Sequence, residues 1–138
     1  MDKTRLKEAK AYMAATAIAY MILVPILQVA RHLSGSPALV EEYYWTNGSK
    51  AALADIFLVG IYLAIGRYVA GLVPSVPSVA AVALTAAAIS TCFCVYFRSR
   101  PKTKRFFSRW FHKAGWGAVL YDAIYLGLVD VLYNCYNK

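Results

Sequence analysis

Residues 78–97, SVAAVALTAAAISTCFCVYF, run for twenty positions without a charged side chain. A helix rises about 1.5 Å per residue, so this stretch alone spans about 30 Å, the hydrocarbon thickness of a bilayer. Three further runs of similar character surround it: about Ala9–Ala30, Ala51–Val73 and Gly115–Tyr133. Composition agrees, with 60% hydrophobic residues, 16% charged residues and a mean hydropathy of +0.49. A soluble domain of 138 residues could not cover that much apolar surface. Lipid offers the backbone no hydrogen-bond partner, so a spanning segment must be a helix or part of a closed barrel, and these runs lack the two-residue alternation of barrel strands. The expected fold is all-α: one domain over residues 1–138, an integral membrane bundle of four transmembrane helices (about 9–30, 51–73, 78–97 and 115–133), with a basic amphipathic interfacial segment before the fourth.

The first run follows Lys3, Arg5, Lys7 and Lys10, an order that resembles the start of a signal peptide. Its apolar part is longer than a usual signal core and no convincing small-residue cleavage site follows. It reads better as a retained helix, kinked or shortened at Pro25. Four crossings place the first and third loops on one side with nine Lys and Arg, against five on the other. By the positive-inside rule the third loop is then cytoplasmic and both termini lie outside, although the basic N-terminus pulls the other way.

The third loop carries the sharpest hydrophilic pattern. Residues 103–115 read TKRFFSRWFHKAG. At helical spacing Phe107, Trp110 and Phe111 share one side, while Arg105, Arg109 and Lys113 lie towards another. Such a segment is expected to lie in the interface, its cations drawn to anionic headgroups at about 1 kcal/mol each and its rings anchored at headgroup depth. The net charge of +8 also admits nucleic acid, but a basic juxtamembrane loop with aromatic anchors explains it without one. In the first loop, Tyr43, Tyr44 and Trp45 read as an interfacial belt. Asn47-Gly48-Ser49 matches the N-glycosylation pattern, but reads first as a turn whose Ser49 caps the second helix.

The residues able to carry chemistry are the ionisable ones inside the apolar runs: Asp55 and Arg67 in the second, Asp122 and Asp130 in the fourth. Charge at membrane depth is costly, so each needs a partner or a purpose. The second and fourth runs cross in the same direction. Counting from Ala51 and Gly115, Arg67 lies 16 residues in and Asp130 lies 15, so these two are nearly level and are expected to form an ion pair. Asp55 and Asp122 fall nearer the other rim. They either face each other, binding a cation or sharing a proton in a lining of Tyr62, Tyr121 and Tyr125, or they lie shallow enough to be hydrated. The second, structural, alternative is preferred here.

Small residues recur four apart at Ala11, Ala15 and Ala19, at Gly60 with Ala64, at Gly66 with Ala70, and at Ala83 with Ala87, and mark helix-packing faces. Cys92, Cys94 and Cys135 have neither disulfide nor metal spacing, and His32 and His112 stand alone. No cofactor or metal site is expected, nor an enzyme of ordinary type.

Residues 54–63, ADIFLVGIYL, and 115–125, GWGAVLYDAIY, resemble stretches of the small multi-span membrane proteins encoded by large nucleocytoplasmic DNA viruses. The resemblance covers about a quarter of the chain and transfers no catalytic residue. It implies a protein of a virion inner membrane or a host endomembrane, of undetermined role, and so favours a structural membrane component. The function expected is therefore that of a structural or membrane-organising protein whose partners are a bilayer with anionic headgroups and further copies of itself, and not nucleic acid. The alternative is a small oligomeric ion channel or proton-coupled carrier using the intramembrane carboxylates.

Overall fold

Pro25 has no N–H to give to a helix, and the first apolar run breaks there. In the computed structural model of the chain, which describes residues 2–46 and 48–137, helix α1 (Lys3–Met21) passes into a π-helical turn at Ile22–Ile26. Leu27 N–H then bonds the Ile22 carbonyl at 2.9 Å, and Gln28 takes a left-handed φ of +53° before the short helix α2 (Val29–Ser34). The single helix expected over 9–30 is thus two helices around a bend. α3 (Pro37–Glu41) follows, capped by the Ser36 hydroxyl, which accepts from Leu39 N–H at 3.3 Å. A second π-helical turn, Glu42–Thr46, leads into α4 (Gly48–Leu72). What read as an open first loop is mostly helical. Asn47 and the Ser49 side chain, on which the glycosylation and capping readings rest, lie outside the described residues.

A short turn at 73–77 joins α4 to α5 (Ser78–Arg98). α6 (Phe106–Ala114) and α7 (Trp116–Tyr136) complete the chain. All regular structure among the described residues is helical, and three of these helices are long and apolar enough to cross a membrane: α4 over Leu53–Leu72, α5 and α7. α1 differs because its first half carries Lys3, Arg5, Lys7, Glu8 and Lys10.

α7 is the axis of the bundle, burying Ala118, Tyr121, Tyr125, Leu126, Gly127, Val129 and Asp130 against α1, α2, α4, α5 and α6. α1 runs antiparallel to it. The Tyr125 hydroxyl donates to the Thr16 carbonyl at 3.2 Å, and Gly117 meets the backbone of Leu33 at the far end. Ala11, Ala15 and Ala19 are buried on this face, which is why they recur every four residues. Two glycines permit backbone contact that no other residue would allow. A Cβ at Gly117 would sit 1.8 Å from the Leu33 carbonyl oxygen, and one at Gly66 would sit 2.9 Å from Val82 Cα, where α4 crosses α5.

The outside of the bundle is as apolar as its core. Along α4, Leu53, Phe57, Ile61, Ile65, Tyr68 and Leu72 form one stripe of side chains, each between 42% and 72% exposed. A continuous stripe of that size in water would be an aggregation surface; in lipid it is the ordinary outer face of a spanning helix.

Candidate functional site

The four charged residues singled out within the apolar runs fall into two groups at opposite ends of α4 and α7. Arg67 and Asp130 come together at the end that holds the 73–77 turn. Arg67 Nη1 lies 2.8 Å from Asp130 Oδ1 and donates to Asn134 Oδ1 at 3.0 Å. Ser78, at the start of α5, donates to Asp130 Oδ2 at 2.7 Å, and Asn134 Nδ2 donates to the same oxygen at 3.3 Å. The guanidinium also sits 4.7 Å over the Tyr133 ring. Asp130 is fully buried, and every interaction around it is satisfied within the bundle, clamping α4, α5 and α7 together. This is a structural lock: the acid is paired, hydrogen-bonded and fully buried.

Asp55 and Asp122 are built differently. Both line a cavity of about 180 Å³ near the other rim, enclosed by α4, α5, α6, α7 and the 42–46 turn. Each accepts a hydrogen bond from a hydroxyl: Asp55 from Tyr43, and Asp122 from Ser90 Oγ at 2.6 Å. Among the described residues neither has a Lys or Arg nitrogen within 4 Å, so two acidic groups face the same space with no cation of the protein's own beside them. Tyr62, Tyr121 and Tyr125 line the same cavity. The Tyr121 and Tyr44 oxygens are 2.8 Å apart. Tyr62 is only 8% exposed, and its hydroxyl has no hydrogen-bond partner among the described residues.

The roof of the cavity comes from the segments expected to lie in the lipid interface. α6 is strongly amphipathic, and its apolar side is turned into the protein. Phe111 is buried and stacks on Phe97 with centroids 5.5 Å apart and planes 4° apart, while Phe106 stacks on Tyr43 at 4.9 Å. Trp110 and Phe107 also border the cavity. Of the six residues assigned to the lipid interface, Arg105, Phe107 and Lys113 are exposed, Arg109 and Trp110 are half-buried, and Phe111 is covered. The first-loop belt divides similarly. Trp45 points outward at 60% exposure, while Tyr43 and Tyr44 close the cavity wall. Helical periodicity located the aromatic side of α6 and assigned it to the lipid interface, whereas Phe111 is covered by protein.

Three polar contacts fix the roof. Arg109 forms a two-pronged ion pair with Glu42, with Nη1 to Oε2 at 2.6 Å and Nη2 to Oε1 at 2.5 Å. Those hydrogen bonds hold the Glu42 carboxyl below its usual range and raise Arg109 above its own. Arg98, at the end of α5, donates from Nε to the Phe111 carbonyl at 3.1 Å, a second donor beside the Gly115 N–H at the C-terminal end of α6. Thr103 N–H bonds Ser108 Oγ at 2.9 Å. Burial, and then the charge of Asp55, push the Tyr43 hydroxyl well above its ordinary range, so it remains a donor.

Among the described residues no group of three or more His, Cys, Asp or Glu is placed to hold a metal ion, and Cys92, Cys94 and Cys135 are unpaired. The site's chemistry is that of two carboxylates, tyrosine hydroxyls and aromatic faces. No family model, no curated protein and no solved structure matches this chain.

Proposed function

We propose that this chain is an integral membrane protein that crosses the bilayer four times and serves as a structural or membrane-organising component, held to anionic lipid at one rim. The observation that carries the reading is the uneven charge on an otherwise apolar bundle. Nine Lys and Arg lie within residues 31–50 and 98–113, which form one end together, against four in the first turns of α1 at the other. Lys113 on α6 is exposed, as are Lys102, Lys104 and Arg105 ahead of it. Cations there gain about 1 kcal/mol each beside an anionic leaflet. The fourth crossing is supplied by α1 and α2 in series, since together they accompany α7 from Tyr136 to Gly117. At the bend Leu23 and Val24 are buried against neighbouring helices, while Ile26 and Leu27 present apolar side chains outward. The viral resemblance of residues 54–63 and 115–125 favours a virion inner membrane or a host endomembrane as the location.

A channel or carrier using the carboxylates is the second reading, and the shared cavity of Asp55 and Asp122 favours it. Against a pore through one copy stands the other half of the bundle, where Ala15, Ala86, Val82 and Val129 are packed without exposure and the Arg67–Asp130 lock closes the axis. Proteoliposomes decide between the two. Wild-type protein, Asp55→Asn and Asp122→Asn are each reconstituted, and proton and ion flux are recorded alongside co-purifying anionic lipid. The structural reading expects flux no greater than that of empty vesicles, and less bound anionic lipid when Lys102, Lys104 and Arg105 are changed to Gln. Flux that either carboxylate substitution abolishes would overturn it.

A further inference from the structure

We propose that the cavity between α4, α5, α6 and α7 is a binding site for an alkylated ammonium cation, with Asp55 and Asp122 as its counter-charges and the surrounding aromatic rings as its walls. This goes beyond the membrane-organising reading and does not depend on it.

The cavity is larger than a single water molecule or a bare metal ion needs. At roughly 30 Å³ per water molecule, 180 Å³ corresponds to about six waters. A bare metal ion needs several oxygen ligands in direct contact, and among the described residues no group of three or more His, Cys, Asp or Glu is placed to supply them. An organic cation the size of choline fills such a volume.

The walls select the charge. Two carboxylates on neighbouring helices, each with only one hydroxyl donor and no ion-pair partner among the described residues, favour a positive guest. Asp130 shows what this chain does with a buried acid that is purely structural: it is given an arginine, a serine and an asparagine. The walls also select the kind of cation. Phe93, Phe97, Trp110 and Tyr121 line the cavity, and aromatic walls attract a diffuse, weakly hydrated ammonium. A compact ion such as Na⁺ would surrender more hydration than these rings return. Tyr62, with its body buried and its hydroxyl unpartnered, supplies one further polar contact for a guest such as choline that carries a hydroxyl of its own.

The same trimethylammonium chemistry reaches this rim from two sources: a free cation, or the choline headgroup of a lipid lying beside α6. Binding is measured on the full chain in nanodiscs made only of phosphatidylglycerol, following the fluorescence of Trp110 with Trp45 and Trp116 replaced by Phe. The titrants are choline, Na⁺, and the neutral carbon isostere of choline, in which carbon replaces the quaternary nitrogen. The expected result is saturable binding of choline, at least tenfold weaker binding of the isostere, and no saturation by Na⁺. Tyr62→Phe should weaken choline several-fold while leaving the fold intact, and Asp122→Asn should weaken it at least tenfold. Because the isostere comparison needs only protein with intact acids, a failure of Asp122→Asn to fold leaves the test standing. Nanodiscs that also contain phosphatidylcholine then separate the sources. Lost choline affinity there assigns the site to a lipid headgroup, and unchanged affinity assigns it to a free cation. Equal binding of choline and its neutral isostere, or no saturable choline binding by the wild-type site, would overturn the proposal.

Discussion

The two ends of α4 and α7 treat buried acid in opposite ways. At one end Asp130 has no exposed surface and is surrounded by Arg67, Ser78 and Asn134. At the other, Asp55 and Asp122 each accept a single hydroxyl hydrogen bond and border open volume. The helices are the same and the residue type is the same. What differs is whether the space around the acid has been filled. A fully paired carboxylate contributes to holding helices together, whereas an unpaired one beside a cavity costs stability unless something else arrives.

The sharpest way to break this comparison is to neutralise one acid at each end. Asp130→Asn leaves Arg67 without its anion at a buried contact. It is expected to destabilise the bundle by about 3 kcal/mol, the lower end of the range for breaking a buried pair, because Arg67 keeps 39% of its surface. Replacing both partners with Leu should recover most of that loss, since no buried charge then remains unpaired. Asp122→Asn removes no cation's partner and is expected to stay within about 1 kcal/mol of wild type. Thermal unfolding of the four proteins in one detergent checks this, and equal losses for Asp130→Asn and Asp122→Asn would dissolve the distinction between lock and site.

The serines sharpen the same contrast at smaller scale. Ser78 donates to Asp130 at 2.7 Å and Ser90 donates to Asp122 at 2.6 Å, so the two bonds are geometrically alike. Ser78→Ala strips a hydrogen bond from a fully buried acid, and an expected cost of about 1 kcal/mol follows. Ser90→Ala leaves Asp122 free to take a replacement partner in the cavity, and the loss should stay under about 0.5 kcal/mol. The same unfolding assay ranks them.

Much of the lock was legible in the sequence. Two parallel helices with known starts fix depth by counting, and Arg67 and Asp130 came out one residue apart before any packing was known. The common rim of Asp55 and Asp122 was readable in the same way. The cavity was not. It exists because the 42–46 turn and α6 fold inward over the helix ends, and Tyr43, Tyr44, Trp110 and Phe111 carry the same local signature whether they face headgroups or protein. The break in the first apolar run lies between these extremes. Pro25 announced it, but the left-handed Gln28 and the recovery of helix at Val29 depend on α7, which α2 meets at Gly117.

Because the roof is what turns two acids into a site, its attachment is the last feature to test. α6 is held by aromatic stacking and by the Glu42–Arg109 pair, whose side chains keep about a third of their surface. Exposed pairs contribute little, so Glu42→Gln should lift α6 only modestly. Cys94 reports the motion, since it is buried beneath Phe111 at 1% exposure. With Cys92→Ala and Cys135→Ala as background, Glu42→Gln is expected to raise maleimide labelling of Cys94 at neutral pH roughly two- to fivefold. Acid should act in the same direction. The Glu42 carboxyl is held below its usual range, mainly by hydrogen bonds from Arg109, so the strap is fully present above the ordinary glutamate value and is lost as pH falls through the lowered one. A spin label at Lys113→Cys, in the same cysteine-free background with Cys94→Ala, should therefore gain mobility only below the ordinary glutamate range and show no change from neutral to mildly alkaline pH. If Cys94 labelling is indifferent to Glu42→Gln, the stacked rings alone close the cavity, and entry of a guest from this rim requires the aromatic layer itself to part.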